Sequence, residues 1–296
     1  MTIYNLGSIN IDHIYRLDHL PRPGETLHSE SHALGLGGKG ANQSMAAARA
    51  GADVVHVGAM SAGDDWVIAQ LSDAGVRVGT IARRPGVPTG HAIILVDAGG
   101  ENSIVLHPGA NRAIRPEDLS QALGPIRPTD TLLLQNETTL QVAAAAQASA
   151  VGARVIYSAA PFELDALRAV MSHVSIIALN EGEAAQMFDA FGHGLPVRGL
   201  LVTRGAAGAE YRDMQSGQVF HQEAFAVRAT DTTGAGDCFA GWFAAGLDRG
   251  EDTPTALRHA AAAAALQVTR PGAAGAMPDR AEVMQFLDAN ARQGPD

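Results

Sequence analysis

Ile3-Tyr4-Asn5-Leu6-Gly7 is a short apolar run that ends on a glycine, and it begins the pattern that decides the fold. Similar runs follow along the chain at residues 54–57, 131–134, 155–157, 176–179 and 200–203. Alanine-rich stretches with helical character lie between several of them, at residues 41–50, 141–150 and 181–188. Strands that alternate with helices predict an α/β fold, namely a doubly wound, mostly parallel sheet with helices on both faces.

Two segments interrupt this alternation and predict a small β lid. Residues 13–34 carry Pro21 and Pro23 and show no clear helical period. Residues 89–107 contain two β-rich runs joined by a glycine-bearing hairpin loop. We therefore expect these two segments to form the lid, and residues 1–12, 35–88 and 108–296 to form the α/β domain.

The composition narrows the class of function. Acidic residues outnumber basic ones by 31 to 21, and the resulting net charge of −10 disfavours nucleic acid and membrane surfaces as general partners. The longest near-apolar run, residues 260–266, is far shorter than the roughly 20 residues of a membrane span. Cys238 is the single cysteine, which excludes an intramolecular disulfide and a CxxC zinc site. No secretory signal is visible at Met1, so we expect a reduced, cytoplasmic protein.

The first glycine-rich segment, Gly35-Leu36-Gly37-Gly38-Lys39-Gly40, formally matches the GxGxxG dinucleotide fingerprint. That fingerprint should follow the first strand directly, but residues 8–12 intervene without a glycine turn, which leaves a Rossmann oxidoreductase as a minority reading. A Walker A loop fails because Ala41 and Asn42 follow Gly40. What remains is a glycine turn that brings Lys39 and Asn42 to one side of a polar ligand, or simply a tight turn with an exposed lysine.

The second glycine-rich segment is Asp231-Thr232-Thr233-Gly234-Ala235-Gly236-Asp237, which runs into an apolar helix. Its glycines leave backbone N–H groups bare at a helix N-terminus, and this arrangement favours a phosphate. A carboxylate beside such an anion hole suits a general base that takes a proton from an attacking hydroxyl. The structural alternative is that Asp237 only caps the helix.

The two segments together resemble the motifs of the ribokinase-like (PfkB) family of carbohydrate and nucleoside kinases. The resemblance runs nearly end to end, with both patterns in the family's order. It implies a ribokinase-like α/β domain that binds nucleotide and substrate, and transfer of the ATP γ-phosphoryl to a sugar. Asp237 would be the general base, and the amides of Gly234, Ala235 and Gly236 would stabilise the developing charge.

The resemblance also implies the residues that hold the sugar. These are Asn10, Asp12, Gly38, Lys39, Asn42 and Glu137. Carboxylates, amides and one ammonium can satisfy the several hydroxyls of a furanose, although Asn10 and Asp12 would also suit a plain turn. Within the family this set is most similar to that of the members acting on D-ribose, so the C5 hydroxyl is the expected acceptor.

On the side of the phosphate donor the resemblance implies nucleotide contacts at Asn180, Glu183, Thr203, Arg204, Gly205 and Gly208. Glu183 would hold Mg²⁺ through water, which suits an ion that keeps much of its water shell. A monovalent cation, K⁺, would be held by Asp231, Thr233, Val268 and Gly272. The chain departs from the family pattern at Ala276, where one possible hydroxyl ligand is missing, and at Ala261 near the adenine.

The implied partners are ATP and a small sugar, with no nucleic acid or membrane, and a homodimer is expected through the lid. Another sugar or a nucleoside remains an alternative substrate. Outside kinases, a catalytically dead sugar-binding or regulatory protein also remains. Such a protein would be expected to lose Asp237 or the Gly234-Ala235-Gly236 turn, and both are present.

Overall fold

A computed structural model describes residues 1–293 of the protein, so residues 294–296 of the predicted α/β domain lie outside it. Its strands are numbered along the chain. In chain order they are β1 (Thr2–Leu6), β2 (Asn10–Arg16), β3 (Ser31–Gly37), β4 (Asp53–Ser61), β5 (Val76–Arg77), β6 (Ile81–Arg84), β7 (Gly90–Val96), β8 (Asn102–His107), β9 (Thr131–Gln135), β10 (Arg154–Ser158), β11 (Ile176–Asn180), β12 (Gly199–Thr203), β13 (Ala209–Asp213) and β14 (Val219–Gln222).

The α-helices of the described residues are α1 (Lys39–Arg49), α2 (Asp65–Asp73), α3 (Pro116–Leu123), α4 (Gln141–Ala150), α5 (Leu164–Val170), α6 (Glu181–Phe191), α7 (Ala235–Asp248), α8 (Thr253–Gln267) and α9 (Arg280–Gln293). Of these, α1, α4 and α6 begin and end close to the three predicted alanine-rich stretches. Among residues 1–293, none of these helices combines the length and the apolar character that a bilayer crossing requires.

The larger sheet confirms the predicted α/β class and its mostly parallel sheet. Its strand order is β14-β13-β12-β11-β10-β9-β1-β4-β5, with β6 also paired to β4. The pairs from β12 through β5 are parallel, and β13 and β14 add an antiparallel edge. The chain passes from β1 to β4 on one side and later returns through β9 on the other. The strand order therefore reverses at β1, which makes this position the topological switch point of the sheet.

Two apolar layers cover the faces of this sheet because its strands alternate their side chains between them. Ile3 of β1 faces a layer built from α1, α2, α7, α8 and α9. Its neighbours Tyr4 and Leu6 face the layer built from α3, α4, α5 and α6. A sheet buried on both faces explains why the predicted strands read as continuous apolar runs.

The smaller sheet has the order β3-β2-β7-β8. The predicted hairpin of β7 and β8 is confirmed, with the two strands antiparallel. Strand β2 pairs in antiparallel fashion with β3 and in parallel with β7. The sequence predicted residues 13–34 as part of the β lid without strand bounds, so the start of β2 at Asn10 was not predicted, and neither were β13 and β14. We use the term lid sheet for these four strands, of which β2 and β3 reach beyond residues 13–34 into the α/β segments.

Candidate active site

The candidate site lies where β1 and β9 end, in the crevice that a switch point opens at the edge of a parallel sheet. Helix α1 begins there, and its first turn lies directly on the end of β1. Gly7 and Gly40 make this contact possible, because a β-carbon on either residue would overlap the backbone of the other. The N–H of Ala41 donates to the carbonyl of Ser8 at 2.9 Å and fixes the same contact.

Asn10 and Asp12, two of the predicted sugar-binding residues, lie in the first half of β2, at the base of the lid sheet. Asn10 is buried, and its Oδ1 accepts a 2.8 Å hydrogen bond from Nδ2 of Asn111. Asp12 lies against Gly37, where any β-carbon would overlap its carboxylate. Burial, with a smaller contribution from the charge of Glu137, raises the pKa of Asp12 to about 6. Among residues 1–293 no hydrogen bond to the Asp12 carboxylate offsets its burial, so this carboxylate can accept hydrogen bonds from sugar hydroxyls.

Glu137 follows β9 and faces the glycine turn across the crevice. Its Oε2 accepts hydrogen bonds from the Ser8 hydroxyl and, at 3.2 Å, from the Lys39 N–H. Burial alone would lower the pKa of the Lys39 side chain, but the charges of Asp237, Glu137 and Glu183 outweigh it and raise that pKa. Lys39 therefore stays an ammonium and lies between the predicted sugar side and the predicted nucleotide side.

The second glycine-rich segment opens α7 as predicted. Gly234 adopts a left-handed conformation with φ of 80°, which a residue with a side chain would disfavour. The N–H of Ala235 turns back to the carbonyl of Thr232 at 3.2 Å. The N–H of Cys238 donates to the carbonyl of Gly234, whereas the N–H groups of Gly236 and Asp237 have no intrahelical acceptor, so this helix start can accept an anion.

Asp237 lies in this first turn, buried, with both carboxylate oxygens bound by side chains of α1. Nδ2 of Asn42 donates to Oδ2 at 2.9 Å, and Nε2 of Gln43 donates to Oδ1 at 3.0 Å. Burial raises the pKa of Asp237, while the charge of Lys39 and the two amide donors oppose that rise. The carboxylate is thereby held in one orientation. Oδ1 of Asn42 is buried without a partner in residues 1–293, which leaves an acceptor for a substrate hydroxyl.

A chain of buried amides sets the direction of the Gln43 side chain. Nδ2 of Asn5 donates to the carbonyl of Gly40, which can only accept, so Oδ1 of Asn5 must face Gln135. Nε2 of Gln135 donates to that Oδ1 at 2.8 Å and to Oε1 of Gln43 at 2.7 Å. Gln43 is left with its NH₂ group toward Asp237. The polarity of the chain is therefore fixed from a backbone carbonyl to the carboxylate.

The predicted nucleotide side is a cavity of about 180 Å³ beside Asp237. Among its lining residues are Lys39, Asn180, Glu183, Thr203, Gly234 and Gly236. Asn180 caps α6, its Oδ1 accepting from the Glu183 N–H at 2.9 Å while its own N–H donates to Oε2 of Glu183 at 2.8 Å. The structure thus brings Asn180, Glu183 and Thr203 to the same space as the helix start.

The rest of the predicted nucleotide loop does not reach this cavity. Arg204 pairs with Glu210 at 3.0 Å and lies 3.9 Å from Glu181, beside a separate cavity on the other face of β12. Gly205 and Gly208 form the turn between β12 and β13, where Gly208 packs against the backbone of β14. Contact between Arg204 and a phosphate would require that ion pair to open, and the role stays a prediction.

The four predicted cation ligands also come together, but their oxygens are already hydrogen-bonded. Oδ1 and Oδ2 of Asp231 accept from the N–H groups of Thr233 and Gly272, each at 2.9 Å. The carbonyl of Val268 accepts from the Asp231 N–H at 3.1 Å. The carbonyls of Thr233 and Gly272 both accept from Nε2 of the buried Gln267, at 2.8 and 3.2 Å. An ion coordinated by those two carbonyls would compete with an amide that is already in place.

Several residues of the site were not assigned by sequence reasoning. Gln43 and Gln135 were given no role, and Asn5 was read only as a strand residue. Asn111 was not singled out, although it holds Asn10 and accepts the N–H of Ile9 at 2.9 Å. The available signal was the presence of amides in otherwise apolar runs, since buried polar groups need partners.

A comparison with known protein families gives one match along the chain. A family model described as pfkB family carbohydrate kinase matches residues 2–280. A ribokinase of Haemophilus influenzae is 35% identical, with 97% of this chain and 98% of that protein covered. A deoxyribokinase of Salmonella typhi is 31% identical, with 98% of this chain and 100% of that protein covered.

Solved structures give the same result in three dimensions. The structure of an Arabidopsis thaliana ribokinase complexed with ribose and ATP superposes with a TM-score of 0.87. The identity is 28%, with 96% of this chain and 98% of that chain covered. The likeness therefore extends over nearly the whole chain.

Proposed function

Because this chain belongs to the pfkB family of carbohydrate kinases, we propose that it transfers the γ-phosphoryl of ATP to the C5 hydroxyl of D-ribose, with Asp237 as the general base. Ribokinases at 35% identity, and a related structure with ribose and ATP, support this substrate pair. The observation that carries the proposal is the position of Asp237. It lies between a cluster of hydroxyl-binding groups and a helix start that can accept an anion.

The predicted roles divide the site at Asp237 and Lys39. On the sugar side, Asn10, Asp12, Asn42 and Glu137 offer carboxylate and amide groups, and Gly38 lets the backbone approach. These groups can accept hydrogen bonds from the ring hydroxyls of a furanose and donate to them. The sugar is then oriented with its C5 hydroxyl toward Asp237. On the nucleotide side the cavity beside Asn180, Glu183 and Thr203 receives the phosphates.

In the chemical step, a carboxylate oxygen of Asp237 accepts the proton of the C5 hydroxyl. The oxygen of the C5 hydroxyl attacks the γ-phosphorus in line, and ADP leaves. The Lys39 ammonium and the N–H groups at the start of α7 stabilise negative charge on the transferred group, and they are in place before reaction. Asn42 and Gln43 hold the base so that a free lone pair can meet the hydroxyl.

Glu183 fits the role of a water-mediated Mg²⁺ ligand. One of its carboxylate oxygens is used in the helix cap, the side chain lines the cavity, and Mg²⁺ needs only one or two protein oxygens. When bound, Mg²⁺ would neutralise charge on the β- and γ-phosphates. The donor set at Asp231 does not fit a monovalent cation in the same way, because the carbonyls of Thr233 and Gly272 already accept from Gln267.

The lid sheet is proposed to close over the sugar and to pair with the lid of a second copy in a homodimer. Ile104 and Leu106 of β8 are 51% and 58% exposed on the face of the lid sheet that also bears Asp12. An apolar face of this kind is typical of an interface that water should not reach. The single cysteine is buried beside Asp237, which is consistent with a reduced, cytoplasmic enzyme.

A second sugar remains a specific candidate because a deoxyribokinase is 31% identical over almost the whole chain. ATP turnover should be measured with ribose, 2-deoxyribose, hexoses and nucleosides at equal concentrations. We expect the highest kcat/KM with ribose. A preference for 2-deoxyribose or for a nucleoside would replace the substrate and keep the family.

The role of Asp237 is tested by Asp237→Asn, with Asp248→Asn at the other end of α7 as the matched control. We expect turnover to fall by roughly 10²-fold or more in the first variant, since a general base of this kind contributes about that factor. Ribose binding, measured by calorimetry, should persist. Near-normal turnover by Asp237→Asn would remove the proposed mechanism.

A further inference from the structure

Gln267 is the last residue of α8, and its side chain is fully buried beside the loop that precedes α7. Its Nε2 donates to the carbonyl of Thr233 at 2.8 Å and to the carbonyl of Gly272 at 3.2 Å. Both neighbours are carbonyls, which can only accept, so the end of the side chain that faces them must be the NH₂ group. The amide thus joins two of the positions assigned to a monovalent cation.

From this juxtaposition we propose that the side-chain amide of Gln267 takes the place of the monovalent cation in this chain, so that turnover does not depend on K⁺. The inference rests on the proposed function, because it concerns the helix start that bears Asp237. An NH₂ group carries partial positive charge on two hydrogens and can hold two carbonyl oxygens together, as a weakly bound cation would.

The other predicted ligands agree with this assignment. Both carboxylate oxygens of Asp231 already accept backbone N–H groups, those of Thr233 and Gly272, each at 2.9 Å. Two backbone donors therefore already stabilise the carboxylate. Ala276, at the end of a short 3₁₀ turn that follows Gly272, is buried and supplies no side-chain oxygen. The position thus has an internal donor and lacks one possible ligand.

The two hydrogen bonds of Gln267 lie next to the start of α7, which explains why they would matter for catalysis. Thr233 immediately precedes Gly234, whose left-handed turn starts α7, and a β-carbon on Gly234 would lie 3.1 Å from the Ala273 side chain. Holding the carbonyls of Thr233 and Gly272 together therefore sets the spacing between the helix start and the neighbouring loop. Anion-binding N–H groups and the carboxylate of Asp237 depend on that spacing.

The proposal is tested in the full-length protein, with K⁺ replaced by choline at constant ionic strength. For the wild type we expect kcat with ribose and ATP to change by less than about twofold between the two salts, and the melting temperature to stay the same. For Gln267→Ala, in choline, we expect kcat to fall by about tenfold or more. K⁺ should restore part of that activity and raise the melting temperature by about 2 °C or more.

Two further variants sharpen the result. Gln267→Ala combined with Ala276→Ser returns a hydroxyl to the site and should respond to lower K⁺ concentrations than Gln267→Ala alone. Gln141→Ala is the matched control, because Nε2 of Gln141 also donates to two backbone carbonyls, those of Gln135 and Thr138, away from this loop. Its melting temperature should not respond to K⁺.

Two outcomes would overturn the proposal. One is a wild type whose turnover and melting temperature both rise with K⁺, since a cation would then bind despite the amide. The other is a Gln267→Ala variant that remains fully active and insensitive to K⁺. If the wild type phosphorylates none of the sugars, the proposed function fails, and the melting temperatures still decide the role of Gln267.

Discussion

Gly7 and Gly40 bring the end of β1 and the first turn of α1 into direct backbone contact, so that neither residue has room for a β-carbon. The contact places the glycine turn over the end of the strand. It also brings the carbonyl of Gly40 within 2.9 Å of Nδ2 of Asn5, the anchor of the amide chain. The close packing of Gly7 against Gly40 therefore supports the amide chain that orients Asp237.

Gly40→Ala should destabilise the protein, because the added methyl group meets backbone that cannot rotate away. We expect a loss of about 1–3 kcal/mol or more in the free energy of unfolding, as for other overpacked core positions. Urea denaturation measures it. Gly63→Ala is the control, since a β-carbon there has no neighbour within 4 Å. Equal stability of the two variants would contradict the steric role of the contact.

Gln135→Leu should shift the pH dependence of turnover without touching the substrate. Without its donor from Gln135, Gln43 can turn its oxygen toward Asp237, and a lost hydrogen bond to the charged form raises the pKa of that carboxyl further. A base must be ionised to act, so kcat falls as pH decreases through this pKa. We expect that acid limb to move upward by up to about one pH unit, the equivalent of one hydrogen bond.

The kcat–pH profile of Gln135→Leu is compared with that of Gln121→Leu, an exposed glutamine of α3. The control should follow the wild type. A purely structural defect would lower kcat equally at every pH, and that pattern in Gln135→Leu would refute the role of the amide chain.

Asp12→Asn should stabilise the sugar-free protein at neutral pH. The folded-state pKa of Asp12 is raised from 3.8 to about 6, so the folded protein binds its proton more tightly than the unfolded chain does. Wild-type stability from this group is present below about pH 4 and is lost as pH rises through about 6. The asparagine variant avoids that loss and should gain at most about 3 kcal/mol at pH 8.

Urea denaturation at pH 4 and pH 8 measures this gain, with Asp73→Asn at an exposed position of α2 as the control. Asp12→Asn should exceed the wild type in stability at pH 8 and match it at pH 4. Ribose affinity of the same variant should fall. A gain that is equal at both pH values would show that ionisation is not its cause.

Ile104→Asp should convert the proposed homodimer into monomers, because it places a charge on the apolar face that would pair with the second lid. Sedimentation velocity measures the change. Val105→Asp is the matched control: the residue is adjacent in β8 and 64% exposed, but its side chain lies on the opposite face. Two variants with the same sedimentation behaviour would exclude this face as the interface.

Local patterns in the sequence were enough to predict the buried strands and the glycine turns. Ile3 to Gly7 and the later apolar runs form strands that are buried on both faces of the sheet. Gly234 precedes a helix in a left-handed conformation that glycine adopts readily. Strand β2 was not predictable in this way because its side chains are partly exposed on both faces and show no clean alternation. The partners of Gln135 are 130 and 92 residues away along the chain, so no local pattern reports them.

Strands β2 and β3 of the lid sheet are inserted into the chain between β1 and α1, and this connectivity has a mechanical consequence. Strand β2 starts at Asn10, and β3 ends at Gly37, two residues before Lys39. Asn10, Gly38 and Lys39, which are proposed to bind the sugar, therefore also lie at the hinges on which these two strands would swing. A sugar that lacks one hydroxyl would lose a hydrogen bond and would also hold the hinge less firmly in the closed position. We therefore expect such a sugar to have a lower kcat as well as a lower affinity.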